Sequence, residues 1–107
     1  MTQSGGRMAQ LEKLLEKQPG DPFLLYGIGM EFKKLNDAGR AIEYFDRTIQ
    51  QDAGYCYAYY QKGLVQESQG DVEGAKGTYK QGIEAAVKKG DGHAKEEIAA
   101  QLAMIEG

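Results

Sequence analysis

The chain carries almost none of the residues that enzymatic or metal chemistry relies on. Among 107 residues there is one cysteine, Cys56, and one histidine, His93. A lone cysteine forms no internal disulfide, so the chain makes no claim on an oxidising compartment. A Cys–His pair would need a third, orienting group, and none is indicated. His93 stands four residues before Glu97, the spacing of a surface pair on a helix. No cluster of metal ligands exists, and no cofactor is expected. "GDG" at 90–92 reads as a turn and cap, since no phosphate-loop pattern accompanies it.

Long apolar runs are missing too. None approaches the roughly 18–20 residues that span a bilayer, and the opening "MTQSGGR" lacks the apolar core of a signal peptide. A soluble, cytoplasmic, non-membrane protein is the expectation. Net charge is −3, and no basic stripe is continuous. Single-stranded nucleic acid, which aromatics together with Lys33, Lys34, Lys88 and Lys89 could attract, is therefore disfavoured.

Glycine is plentiful, with 15 residues, and scattered. Gly20, Gly70 and Gly90 stand where helices would end. Gly29 and Gly63 stand inside apparent helices, where each costs about 1 kcal/mol against alanine; such glycines mark close backbone packing.

The arrangement repeats. Shifting residues 21–54 by 34 places Leu25 on Tyr59, Tyr26 on Tyr60 and Gly29 on Gly63. Asp37 falls on Asp71, Ala41 on Ala75, Phe45 on Tyr79 and Ile49 on Ile83. A fixed period of this length marks stacked helix pairs. In the first unit Asp21 is a helix cap, Pro22 a first helical residue, and the helix runs to about Leu35. Asp37 caps a second helix ending near Gln51. In the second unit the helices cover about 55–69 and 71–89, with Gly70 as a left-handed stop.

Residues 54–63, "GYCYAYYQKG", alternate like a strand, but the period predicts helix. "MAQLEKLLEKQP" reads as the second helix of a truncated earlier unit, burying Met8, Leu11, Leu14 and Leu15. "AKEEIAAQLAMIE" is a closing helix at about 92–105 with Ala94, Ile98, Leu102 and Ile105 inward. Residues 1–7 are expected to form a disordered tail and 8–107 a single domain.

With Gly29, Phe32, Ala41, Phe45, Ile49, Tyr59, Gly63, Ala75, Tyr79 and Ile83 in these places, the chain resembles the tetratricopeptide repeat family. The resemblance implies an all-α, right-handed solenoid of six helices. It also has departures. Lys62 and Gln66 replace larger apolar residues, Gly82 replaces alanine, and Gly74 and Gly77 weaken their helix. The second unit is therefore expected to be locally less stable.

Helical register divides the first helix of each unit into two apolar faces. Leu25, Ile28 and Phe32 lie on one; Phe23, Tyr26 and Met30 lie about 140° away. The second stripe recurs as Tyr57, Tyr60 and Leu64. In the family this second face lines a concave groove that binds extended peptides or helices of partner proteins. The groove residues implied here are Phe23, Tyr26, Met30, Lys33, Tyr57, Tyr60, Leu64 and Glu67, with Lys34 further along and Tyr55 at the edge. Family members that grip chaperone C-termini use Lys, Asn and Arg on this face. Tyr26, Met30 and Leu64 stand there instead, so that activity is not implied, and an apolar or aromatic-bearing partner fits better.

The resulting expectation is a non-enzymatic protein-interaction module whose groove tyrosines support the fold only weakly. The alternative is a homodimerising scaffold whose tyrosines are packing residues, with Ala99, Ala103 and Met104 offering a contact surface.

Overall fold

In a computed structural model the chain is described from residue 3 to residue 106, with side chains from residue 6 onward. The described residues form six helices and no strand: α1 (Gln3–Lys17), α2 (Pro22–Lys34), α3 (Ala38–Gln51), α4 (Cys56–Ser68), α5 (Val72–Lys89) and α6 (Gly92–Glu106). Each packs on its neighbours in the chain. Only α2 with α4, and α4 with α6, touch beyond that order. The result is a solenoid 43 × 29 × 19 Å in extent, with α2, α4 and α6 on one side and α3 and α5 on the other.

Helix boundaries follow local chemistry. The Asp21 carboxylate accepts from the Phe23 N–H, and Pro22 opens α2. Asp37 accepts from the Arg40 N–H and Asp71 from the Gly74 N–H, capping α3 and α5 alike. The stops also repeat. Asn36 and Gly70 both hold positive φ, 60° and 80°, which asparagine and glycine tolerate best. The alternating tyrosines are helical from Cys56 onward; Gly54 lies in the preceding turn and Tyr55 is the cap.

The period of 34 has a steric basis. A Cβ at Gly29 would lie 2.6 Å from a Phe45 ring carbon, and one at Gly63 would lie 2.2 Å from Tyr79. The large ring of each second helix thus occupies the space a side chain would need on the first. Ala41 and Ala75, each one turn ahead of its ring, are fully buried. Three apolar clusters run along the stack. Leu11, Leu24 and Ile28 form the first; Ala41, Phe45 and Val65 the second; Cys56, Ala75, Tyr79, Ala86, Ala94, Ile98 and Leu102 the last.

The departures in the second unit are accommodated. Lys62 pairs with Asp46 of α3 at 2.7 Å. Gln66 accepts from the Thr78 hydroxyl at 2.7 Å. Gly82 admits Tyr59, whose Cβ would be 2.8 Å from an added methyl.

Two expectations at the N-terminus fail. Helix α1 begins at Gln3 rather than Met8, and Arg7 reaches Glu31 of α2 at 3.0 Å. Met1 and Thr2, also assigned to the tail, lie outside the described residues. Leu14 is not buried but 49% exposed. Helix α1 has a single packed neighbour, so only Leu11, with Met8 and Leu15 beside it, faces the core.

Candidate protein-binding groove

The α2–α4–α6 face gathers most of the residues singled out above. Phe23 is 66% exposed at its lip. Tyr26, Met30, Lys33, Tyr57, Tyr60, Leu64 and Glu67 are all half-buried. Tyr26 and Met30 rest on the Phe45–Val65 cluster, while Tyr57 and Tyr60 rest on the cluster around Tyr79. The rings form short chains. Tyr26 lies 5.7 Å from Phe45 and 5.0 Å from Tyr55, and Tyr60 lies 6.3 Å from Tyr57 and 6.4 Å from Tyr79. One side of each ring is therefore committed to the fold and the other is open. This differs from the expectation of weakly supporting side chains. Half-burial of a ring stabilises by about 1–2 kcal/mol.

The polar groups on this face are anchored. Lys33 donates to Gln61 at 2.5 Å, tying α2 to α4. Burial pushes the Tyr26 phenol up and the Lys33 ammonium down from their ordinary ranges. The Tyr57 hydroxyl donates to Glu97 of α6 at 2.6 Å. That bond, more than burial, pushes its pKa up to about 12.

Glu67 accepts from the Tyr79 hydroxyl and, at 3.0 Å, from Gln101. Burial and that carboxylate raise the Tyr79 phenol well above the usual range. The counterpart of Glu67 one unit earlier is Lys33, and that of Tyr79 is Phe45. The hydroxyl gained in the second unit comes with a carboxylate to receive it. Glu67 is thus half-buried on this face and already engaged.

Gln61, Glu97 and Gln101 belong to this face and were missed from sequence. Gln61 lies at i+4 from Tyr57, a spacing that assigns it to the same stripe. Glu97 and Gln101 share an i, i+4 stripe on α6, which was read for its buried side, for Ala99, Ala103 and Met104, and for the His93–Glu97 pair. Cys56 is buried, and its thiol points to the Gly54 carbonyl at 3.3 Å. Burial pushes the thiol up, although Lys89 opposes the shift. His93 pairs with Glu97 at 3.4 Å, as its spacing suggested. A second depression of about 500 Å³ lies between α3 and α5, lined by Asp46, Lys62, Glu84 and Lys88 among others. Its mixed charges and lack of aromatic lining beyond Tyr59 make it a poorer recognition surface. No described helix is long and apolar enough to cross a membrane.

Known proteins share this architecture. The family model described as tetratricopeptide repeat matches residues 24–55 and 57–86. A TPR repeat-containing protein of Pseudomonas aeruginosa is 31% identical over 96 residues, covering 90% of this chain and 91% of that protein. The crystal structure of a tetratricopeptide repeat domain protein from Salinibacter ruber is 32% identical, with a TM-score of 0.75 over 81% of this chain and 97% of its own. The TPR2B domain of yeast Sti1, solved as a complex with pHsp70, has a TM-score of 0.86 over 92% of this chain and 79% of its own. At 17% identity, that likeness concerns the fold.

Proposed function

This chain belongs to the tetratricopeptide repeat family, and we propose that it is a non-enzymatic interaction module that holds a peptide or helix of another protein along the α2–α4–α6 face. Repeats of this family generally mediate contacts between proteins. The observation that carries the reading here is the half-burial of Tyr26, Met30, Tyr57, Tyr60 and Leu64 on one continuous face. These rings keep an open side although the described helices already pack on one another. Tyrosine gives large contact area at low rotamer entropy and a hydroxyl for orientation, which suits recognition. The polar groups between the rings are tied to one another, so the surface is pre-organised and little ordering is lost on binding. The Sti1 domain, solved as a complex with pHsp70, is a precedent for partner binding in the same fold.

The test is selection of a random twelve-residue display library on the full chain. Selected peptides should lose at least tenfold in affinity on Tyr26→Ala with Tyr60→Ala, because two groove anchors together exceed the 1.4 kcal/mol that a factor of ten requires. Peptides that bind the double variant unchanged would refute the groove.

One observation favours a second reading, the homodimerising scaffold. Met104 is 75% exposed on α6, beside exposed Ala103. Sedimentation over a hundredfold concentration range separates the two: a dimer dissociated by Met104→Lys supports self-association, and a monomer throughout refutes it.

A further inference from the structure

One end of the groove holds a cavity of about 270 Å³, lined by Tyr26, Tyr55, Cys56, Tyr57, Lys89 and Asp91. Sites that enclose a small molecule run to roughly 300–1,000 Å³, so this one has the size for a single side chain. Three tyrosines supply its aromatic wall. Each is held by a neighbour: Tyr26 by Phe45, Tyr57 by its bond to Glu97, and Tyr55 by a tilted contact with Tyr26. Rings arranged in this way present negative faces that attract a cation within about 6 Å.

The surrounding charge selects the occupant further. Asp91 lines the cavity, Glu97 receives the Tyr57 hydroxyl, and the charges of Asp52 and Asp21 act on Tyr55. The one ammonium of the lining, Lys89, directs its Nζ to the Gly54 carbonyl at 3.3 Å, and Glu97 also meets His93 at 3.4 Å. Asp21, Asp52 and Asp91 each accept a backbone N–H, which fixes their positions.

We propose that this pocket receives an arginine side chain of the segment bound in the groove, its guanidinium lying against Tyr26, Tyr55 and Tyr57 and bonding to Asp91. Arginine fits better than lysine because its planar, weakly hydrated group stacks on rings while its fork bonds a carboxylate. The same charges repel a free C-terminal carboxylate. The inference rests on the groove reading, which stands without it.

The probe is the set of peptides selected from the random twelve-residue library. Arginine should be enriched, and replacing it by norleucine or lysine in the tightest peptide should weaken binding at least tenfold and threefold respectively. Asp91→Asn with Glu97→Gln removes two carboxylate charges but keeps the α6 cap and the Tyr57 acceptor, since asparagine caps as well as aspartate. It should also weaken the arginine peptide at least tenfold more than it weakens the norleucine peptide. Glu43→Gln with Glu84→Gln removes equal charge elsewhere and should have little effect; an equal loss there would mean attraction to net charge alone and would overturn the pocket. Peptides lost on Tyr26→Ala with Tyr60→Ala yet indifferent to arginine would refute the pocket and keep the groove. Failure to select any groove-dependent peptide would remove both. A dimer of the free chain that Asp91→Asn with Glu97→Gln dissociates would place a second copy there and also overturn the proposal.

Discussion

Gly63→Ala, set beside Gly77→Ala, isolates the packing that gives the repeat its period. Both glycines lie inside helices, and both substitutions gain about 1 kcal/mol of helix propensity. They differ in surroundings. A Cβ at Gly77 meets nothing within 4 Å, whereas one at Gly63 lies 2.2 Å from Tyr79 Cε1, where ordinary contact begins at 3.4 Å. Tyr79 is fully buried, and its hydroxyl is tied to Glu67, so the ring cannot swing clear. Overpacking of this kind costs about 1–3 kcal/mol. Gly77→Ala should therefore stabilise by up to about 1 kcal/mol, and Gly63→Ala should fall about 1–3 kcal/mol below it. Gly29→Ala, at 2.6 Å from Phe45, belongs between them. Urea unfolding followed by circular dichroism reads all three, with equal slopes confirming that only stability changed. If Gly63→Ala proves as stabilising as Gly77→Ala, the helix contact is not where the period of 34 puts it.

Arg7→Met should loosen α1 and cost about 1–3 kcal/mol in urea unfolding. It strips the main partner from Glu31, which is only 3% exposed and has Oε1 unbonded; Glu31→Gln in that background should recover part of the loss. Raising pH should destabilise the fold above about pH 10. Tyr57 is pushed up to about 12 and Tyr79 higher, so the unfolded chain releases these protons first and stability falls as pH rises through the unfolded value. Melting temperature against pH checks this, and Tyr79→Phe should flatten the decline. Cys56→Ser should fold normally and bind selected peptides with little change, since serine keeps the shape of this pocket-lining residue and the thiol makes one weak bond to Gly54. Lost binding in a folded Cys56→Ser would restore a reactive role for the thiol.

The fold was legible because its determinants are local and repeated. Asp21, Asp37 and Asp71 announce helix starts. Gly70 announces a stop, and Gly29 with Phe45 predicts Gly63 with Tyr79. The tyrosine alternation was misleading by itself and was settled by register. Leu14 was misassigned because a stripe reports the apolar face of a helix and not how wide its neighbour is; α1, packed only on α2, covers less than a central helix. On the α2–α4–α6 face, the period placed the stripe that begins at Phe23 and Tyr57. It had nothing to say about α6, which has no counterpart in register, so Glu97 and Gln101 were overlooked. Nor did it show that Glu67 answers the Tyr79 hydroxyl, a contact between helices that only the packed chain brings together.

The most direct measurement maps where a selected peptide sits. Backbone and methyl chemical shifts of the labelled chain, followed as the peptide is titrated, need no variant and do not disturb the half-buried rings. The largest changes should fall on Tyr26, Met30, Tyr57, Tyr60, Gln61 and Leu64, with smaller ones at Glu97 and Gln101. Changes centred instead on Ile49, Gln81 and Glu84, between α3 and α5, would contradict the groove and place recognition on the opposite side of the solenoid.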